Sequence, residues 1–192
     1  MPASLTEMLV RCRNDEKALY LYYYLQQKRG ESIIIFCNAI TATRRLNSLL
    51  DFLKIKNYCL HSKMQQRQRL KNLEKFKRGV NEIEAGVDTS AILVCTDVAA
   101  RGLDIPYVGN VLHYQCPWNA EIYVHRCGRT ARVGRDGECL ALLAPEDNKA
   151  FKGICQVLKK TEDDLQMFDV KYSVLEKIKP LIDQAKVIEK SV

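Results

Sequence analysis

The chain alternates between short apolar runs and longer segments in which apolar residues recur with helical spacing. Apolar runs of about four to eight residues, rich in β-branched side chains, are typical of buried strands, whereas the helical spacing is typical of amphipathic helices. The pattern predicts five strands, at residues 32–37, 57–61, 91–96, 109–114 and 138–144.

Helical patterns fill the intervals between these strands and continue after the last one. Asn14 or Asp15 is suited to cap the first helix, Gly30 to end it, and Gly79 to end the third. Pro180 lies inside the last pattern, where an interior proline costs about 3 kcal/mol, so one kinked helix and two short helices are both open. The predicted helices span residues 14–29, 40–54, 65–78, 119–132, 146–160 and 173–190.

Strands that alternate with helices form right-handed crossovers, and these build a largely parallel sheet covered on both faces. The sequence therefore predicts an α/β fold with three layers. In such open sheets, ligands bind beyond the carboxyl ends of the strands. The loops after residues 37, 61, 96 and 114 are the candidates. The polar stretch 80–90 precedes a strand instead, and we expect it to be a surface loop at the opposite edge.

Composition narrows the classes of partner. The 192 residues carry a net charge of +7, which favours nucleic acid or phosphorylated ligands. Eight cysteines occur without a C-x-x-C pair, and several lie in apolar runs, so buried free thiols are expected rather than disulfides or a metal site. No signal peptide is apparent and no apolar run approaches the roughly 18 residues that span a bilayer. We expect an intracellular, reducing compartment and no membrane partner.

The loop after the third strand, "CTDVAARGLDIP" at residues 95–106, combines several ligand-binding groups. Thr96 can offer its hydroxyl and nearby amides to a phosphate, Gly102 lets backbone come close, and Asp104 can accept a hydrogen bond from a ribose hydroxyl. A helix cap and a salt bridge would also explain this spacing, so the loop alone does not decide.

A second unusual segment is "HRCGRTARVGR" at residues 125–135, which holds four arginines and no acidic residue. On a helix, His125, Arg129 and Arg132 would share one face, with Arg126 beside it. Guanidinium groups bind phosphate with two parallel hydrogen bonds, which lysine cannot do. A solvated basic face is the alternative. The neighbouring loops favour an anionic ligand.

These two segments, with "IIIFCNA" at 33–39 and "LHSKMQQRQRLKNLEKFKRG" at 60–79, resemble the DEAD-box RNA helicases. They are similar to motif IV, to the Q-x-x-R element at Gln66 and Arg69, to motif V, and to motif VI from His125 to Arg132. The four elements follow the order and approximate spacing of that family over residues 10–160. The resemblance implies the C-terminal RecA-like domain of a two-domain ATPase.

The resemblance also assigns roles. Arg129 and Arg132 would be arginine fingers that reach the ATP phosphates, and Asp104 with Gly102 would contact the ribose. The residues expected to hold the RNA sugar-phosphate backbone are Asn38, Gln66, Arg69 and Thr96. Those expected to couple this domain to its partner are Arg101, His125 and Arg126.

Two further elements of such an ATPase are absent from the sequence. There is no G-x-x-x-x-G-K-[ST] loop for phosphates and no D-E-A-D motif for magnesium. ATP and Mg²⁺ are therefore expected to bind mainly to an N-terminal RecA-like domain, without which this chain should be an inactive monomer. Residues 1–160 would form the helicase domain and residues 161–192 a helical extension that packs on it or trails from it.

Some positions depart from the family pattern. Ala39 replaces a usual threonine or serine, which removes one hydroxyl contact to RNA, and Ser62 and Ala131 replace usual glycines. The stretches "PED" and "KVIEK", with "GRTAR", are similar to a nucleolar subgroup linked to large ribosomal-subunit assembly, which would add preribosomal proteins as partners. A non-catalytic RNA- or protein-binding module with the same fold, and a DNA-acting relative, remain the rival hypotheses.

Overall fold

The computed structural model describes residues 4–131 and 135–191, which form seven strands and seven α-helices. The strands are β1 (Leu5–Arg11), β2 (Ser32–Cys37), β3 (Tyr58–Leu60), β4 (Ala91–Thr96), β5 (Asn110–His113), β6 (Gly137–Leu143) and β7 (Gln166–Met167). The α-helices are α1 (Lys17–Gln27), α2 (Ile40–Phe52), α3 (Gln66–Glu84), α4 (Asp97–Ala100), α5 (Ala120–Cys127), α6 (Asn148–Val157) and α7 (Tyr172–Ser191).

The strands form one sheet in the order β3-β4-β2-β5-β6-β1-β7, and every described pairing is parallel. Helices α1, α2 and α7 pack their apolar residues on one face, and α3, α4, α5 and α6 pack theirs on the other. The strands β2 and β4 are buried along their whole length because both of their faces are covered. The predicted three-layer α/β fold is confirmed.

Two strands were not predicted. β1 pairs with β6 from Leu5–Gly137 to Arg11–Leu143, and β7 adds a short pairing beyond β1. β1 contains Glu7 and Arg11 and is only partly buried, so its sequence lacks the continuous apolar run that marks the central strands. It is recognisable only once β6 is in place beside it.

The prediction that Gly79 ends the third helix is wrong. α3 continues to Glu84, and a Cβ at Gly79 would lie 3.1 Å from the Cβ of Ala91. The glycine thus allows α3 to approach β4 closely. Residues 80–84 are helical rather than part of a loop, and Val80 is buried in the core. The surface loop is restricted to residues 85–90.

The end of the fourth predicted helix also differs from expectation. α5 ends at Cys127 with Gly128 as its C-cap, so Arg129 is not on the helix and does not extend a face from His125. Of the two alternatives that were open at Pro180, the structure has the single helix, because α7 is continuous through this residue. Proline has no N–H to donate to the carbonyl one turn earlier in the helix. Because Pro180 is exposed, water can bond that carbonyl instead.

Residues after 160 are tied to the sheet and to one helical layer. β7 extends the sheet, and α7 packs against α1 and α2 through the buried residues Leu175, Ile182 and Ala185. The division of the chain at residue 160 stays a prediction. Within the described ranges, no helix combines the length and the apolar character needed to cross a membrane.

Candidate functional site

The carboxyl ends of the strands meet at one edge of the sheet, because all of the described strands run in the same direction. β2, β4 and β5 are neighbours, so the loops that begin at Asn38, Asp97 and Tyr114 lie side by side. Three of the segments that the sequence singled out therefore come together at this edge.

Arg126 connects these loops. Its Nε and Nη2 donate to the two carboxylate oxygens of Asp97 at 2.7 Å each, Nη1 donates to the Gln115 carbonyl at 2.9 Å, and Nη2 also donates to Asn38 Oδ1 at 2.6 Å. The guanidinium lies 5.3 Å from the centre of the Phe36 ring, and the residue is fully buried. Any coupling of Arg126 to a second domain must therefore pass through the loops it holds.

Asn38 belongs to the same network. Its Nδ2 donates to the Cys116 carbonyl at 2.8 Å, and its backbone N–H donates to Gln115 Oε1 at 2.8 Å. With Oδ1 bonded to Arg126, the side-chain amide is engaged at both ends inside the domain. Asn38 shapes the loop after β2, and the predicted RNA contact of this residue stays a prediction.

Three other residues predicted to contact RNA converge on Ala99 in α4. Thr96 caps α4 by accepting a hydrogen bond from the Ala99 N–H at 3.3 Å. Arg69 donates from Nη2 to the Ala99 carbonyl at 3.3 Å and from Nη1 to Gln66 Oε1 at 3.2 Å. The start of α3 and the end of β4 thus form one surface. Gln66 is exposed and Arg69 is half-buried on it.

Arg129 lies in a turn that follows α5. Its Nη2 is 2.9 Å from His125 Nε2, and its carbonyl accepts from the Val108 N–H at 3.0 Å. Burial first, and then the Arg129 charge, lower the pKa of His125, so this imidazole is neutral at pH 7 and can accept from the guanidinium. The Arg101 charge acts in the same direction, which puts this exposed arginine near the pair.

Close packing against β6 fixes the turn that carries Arg129. Thr130 Oγ1 donates to the carbonyls of Val108 and Gly109, and a Cβ on Gly137 would lie 2.3 Å from both Thr130 Oγ1 and Ala131 N. Ala131, where the resemblance expects glycine, has a φ of 55°, a conformation that costs alanine free energy. Arg132, the second predicted finger, lies outside the described residues.

Asp104 and Gly102 lie on the other side of the motif V loop. The Asp104 carboxylate is 95% exposed and accepts a hydrogen bond from Lys77 Nζ at 2.7 Å, and this bond and charge lower its pKa. Gly102 has a φ of 70°, which glycine adopts readily. Asp104 lines a cleft of about 750 Å³ together with Lys77, Tyr107 and Arg135. An exposed acceptor at such a cleft is suited to a ligand hydroxyl.

Sequence reasoning missed Asp97 and Gln115. The alternative interpretation of the motif V loop, a helix cap with a salt bridge, describes part of what is seen: Thr96 caps α4 and Asp97 pairs with Arg126. Both interpretations therefore apply to the same loop, since the cap and the ion pair are what hold its backbone in place.

The fold and the site define an open parallel α/β domain whose arginines and polar loops gather at the carboxyl edge of the sheet. The family model for the helicase conserved C-terminal domain matches residues 16–134. The match covers more than half of the chain, so the chain belongs to the helicase C-terminal domain family.

Curated relatives are similar over almost the whole chain. The chain is 47% identical over 188 residues to the ATP-dependent RNA helicase DDX24 of Homo sapiens, a match that covers 98% of this chain and 21% of the relative. It is 40% identical over 173 residues to the ATP-dependent RNA helicase mak5 of Schizosaccharomyces pombe, covering 90% and 25%. The chain spans about a fifth to a quarter of the length of these relatives.

Solved structures show the same fold. The E. coli DEAD-box protein SrmB, solved with the regulator of ribonuclease activity A, matches with a TM-score of 0.74 and 27% identity, covering 86% of this chain and 91% of that one. A DEAD-box protein from Methanococcus jannaschii matches with a TM-score of 0.69 and 27% identity, covering 87% and 42%. The RecA-like assignment of the fold is thus confirmed.

Proposed function

We propose that this chain is the C-terminal RecA-like half of an ATP-dependent RNA helicase. Arg129 and Arg132 act as arginine fingers on the ATP phosphates, Asp104 and Gly102 contact the ribose, and Gln66, Arg69 and Thr96 hold the RNA backbone. The names of the relatives, which are ATP-dependent RNA helicases, support this proposal. Backbone contacts make the RNA interaction independent of base sequence.

One observation carries the proposal. The buried Arg126–Asp97 pair joins the two groups of residues, because Asp97 follows Thr96 and Arg126 lies three residues before Arg129. A shift of the RNA-binding loop would therefore be felt by the segment that holds the finger. This is the physical connection that an RNA-stimulated ATPase requires.

The described part of the chain offers suitable side chains for a nucleotide but few for Mg²⁺. Arg101 is exposed and Arg129 is half-buried, and their guanidinium groups suit the phosphates of a nucleotide. Asp104 suits its ribose. Magnesium prefers several oxygen ligands, and the one group of three clustered ligand residues found within residues 4–131 and 135–191 is a histidine with two cysteines. We infer that Mg²⁺ and most of the ATP contacts belong to an N-terminal RecA-like domain.

The experiment uses a longer protein that contains the P-loop and D-E-A-D motifs. Arg129→Lys should lower RNA-stimulated ATP turnover about tenfold to thousandfold, because a point charge does not replace a planar fork on the transferring phosphate. RNA binding without nucleotide should be unchanged. Parent-level turnover combined with lost RNA binding would instead favour a non-catalytic RNA-binding module.

Localisation and partners follow from the same proposal. The similarity to DDX24 and mak5 supports the subgroup that the sequence indicated, and hence a nucleolar role with preribosomal proteins and RNA as partners. Imaging of the tagged protein in cells and sequencing of its crosslinked RNA test this assignment. A requirement for an RNA strand in duplex unwinding would exclude the DNA-acting alternative.

A further inference from the structure

Three side chains that the proposed ATPase does not use converge behind the candidate site. His113 ends β5, Cys127 ends α5, and Cys139 lies in β6. The two Sγ atoms are 3.0 Å apart, and His113 Nε2 is 3.5 Å from Cys127 Sγ and 3.1 Å from Cys139 Sγ. All three residues are buried, with exposures of 0–1%. Two sulfurs and an imidazole nitrogen thus face one point inside the protein.

The chemistry of these donors suits a soft metal ion. Burial, reinforced by the Arg126 charge, holds the pKa of His113 well below its usual value, so the imidazole is neutral and has a lone pair at pH 7. Two thiolates with one imidazole favour Zn²⁺ or Cu⁺ over Mg²⁺ or Ca²⁺. Two thiolates would also neutralise Zn²⁺, so the burial of the ion would leave no net charge.

The geometry requires only small movements. Tetrahedral zinc, with bonds of about 2.3 Å to sulfur and about 2.0 Å to nitrogen, places two sulfurs about 3.7 Å apart and sulfur and nitrogen about 3.5 Å apart. The Cys127–His113 distance already matches. A movement of roughly 0.7 Å by Cys139 would open the other two separations, which hydrogen bonding between the protonated groups keeps short.

The residues around the cluster hold the imidazole in place. The Tyr123 ring stacks on His113 with centroids 4.9 Å apart, and its hydroxyl donates to Glu7 Oε1 at 2.8 Å. Glu7 is in register with Cys139 on the neighbouring strand β1. The other oxygen of Glu7 accepts from Lys160 Nζ, so this carboxylate is fully engaged beside the cluster and fixes the tyrosine that stacks on His113.

We propose that His113, Cys127 and Cys139 form a structural site for one soft d¹⁰ metal ion, with Zn²⁺ as the expected occupant. The ion would tie β5, α5 and β6 together. Cys127 directly precedes Gly128 and Arg129, so the metal would also fix the start of the turn that holds the predicted finger. The site does not depend on the ATPase proposal, because its residues serve the fold whichever ligand binds at the sheet edge.

The test measures metal in the purified 192-residue chain. After exposure to Zn²⁺ and dialysis against metal-free buffer, about one zinc per chain should remain, and zinc should raise the midpoint of thermal unfolding. Cys127→Ser and Cys139→Ser should each retain little zinc and lose this shift. Cys12→Ser is the matched control, because Cys12 is a buried thiol outside the cluster, and it should retain the zinc.

A second measurement avoids variants that fail to fold. X-ray absorption of the zinc-loaded parent protein should give a first shell with two sulfur atoms and nitrogen or oxygen for the rest, and competition with a Cu⁺ donor separates the two candidate ions. A shell without sulfur, zinc that Cys127→Ser retains, or less than about 0.2 zinc per chain would overturn the proposal. A parent mass lower by two hydrogens, mapped to a Cys127–Cys139 disulfide, would overturn it as well.

Discussion

Arg126 and Arg129 belong to one short motif, yet their environments are opposite. The guanidinium of Arg126 is saturated by Asp97, Gln115 and Asn38 in the interior, whereas that of Arg129 contacts His125 at the surface of the sheet edge. A buried arginine is tolerated only when its charge is paired and its N–H groups are bonded. Arg126 therefore sets the shape of the site, and Arg129 is the arginine available to a ligand.

The Arg126–Asp97 pair should be essential for stability. Asp97→Asn leaves the fully buried guanidinium without its counter-charge, and we expect a loss of about 3–5 kcal/mol in the free energy of unfolding, measured by urea denaturation. Asp163→Asn, at an exposed aspartate, is the control and should change stability by less than about 0.5 kcal/mol. A loss below about 1 kcal/mol for Asp97→Asn would show that the pair is not a major support.

Gly137 should be irreplaceable for a different reason. Its Cβ would collide with the turn at Thr130 and Ala131, so Gly137→Ala must displace either β6 or the segment that carries Arg129. We expect a loss of about 1–3 kcal/mol in unfolding free energy. Gly153→Ala is the matched control: nothing lies within 4 Å of the new methyl on helix α6, and alanine should stabilise by about 0.5–1 kcal/mol. Equal effects of the two changes would contradict this packing.

The sequence identified most of the residues at the candidate site, but it did not show which of them are buried supports and which are accessible to a ligand. The strand pattern pointed to the loops after residues 61 and 96, and the family resemblance singled out Gln66, Arg69 and Thr96, which converge on Ala99. The sequence could not separate the buried Arg126 from the accessible Arg129, because burial depends on loops that meet only after the sheet forms. The cluster of His113, Cys127 and Cys139 was missed for the same reason, since its members are distant in sequence and lack a familiar spacing.

At the level of elements, the central strands were predictable and the peripheral ones were not. β2 and β4 are continuous apolar runs because both faces of the sheet are covered. β1 and β7 lie toward one side of the sheet, where mixed polar sequences are compatible with pairing. Gly79 shows the limit of local rules, because its role is to let α3 approach Ala91 and this contact overrides the tendency of glycine to end a helix.

The corrected course of α3 separates two valines in neighbouring segments. Val80 is 3% exposed on the helix, whereas Val87 is 51% exposed in the loop. Val80→Ala should lower the free energy of unfolding by about 1–2 kcal/mol because it leaves a cavity, and Val87→Ala should change it by less than about 0.5 kcal/mol. Urea denaturation of both variants checks the boundary. Similar small losses would restore the loop interpretation of residues 80–84.

Across the whole molecule, all three histidines have pKa values that the fold lowers. Burial is the largest cause for His61, His113 and His125, and nearby arginines add to it. The unfolded chain takes up protons near pH 6.5 that the folded chain does not accept. The histidine contribution to stability is therefore complete above that pH and is lost as the pH falls toward the lowered values.

The free energy of unfolding should accordingly fall between pH 7 and pH 5. The slope can reach about 1.4 kcal/mol per pH unit for the fully buried His113. Urea denaturation at several pH values, with a chelator present to remove metal, measures it. His113→Asn should flatten the dependence. Stability that stays constant or rises on acidification would show that these side chains titrate normally in the folded protein.

The basic residues of the molecule are concentrated along helix α3 and the loop before it. From Lys63 to Arg78 the chain carries seven basic residues against Glu74, and α3 buries its apolar side while Lys63, Arg67, Lys71 and Arg78 are exposed. This face should bind unrelated single-stranded RNAs with similar, weak affinity. The affinity should fall steeply with salt, because each phosphate contact releases counterions.

The variant Arg69→Ala should lower the affinity for all RNAs equally and reduce the slope of log affinity against log salt by about 0.7. Arg29→Ala, at the opposite edge before β2, removes the same charge and should have little effect. A loss that depends on base sequence, or equal losses from the two variants, would contradict a backbone-binding site at the carboxyl edge of the sheet.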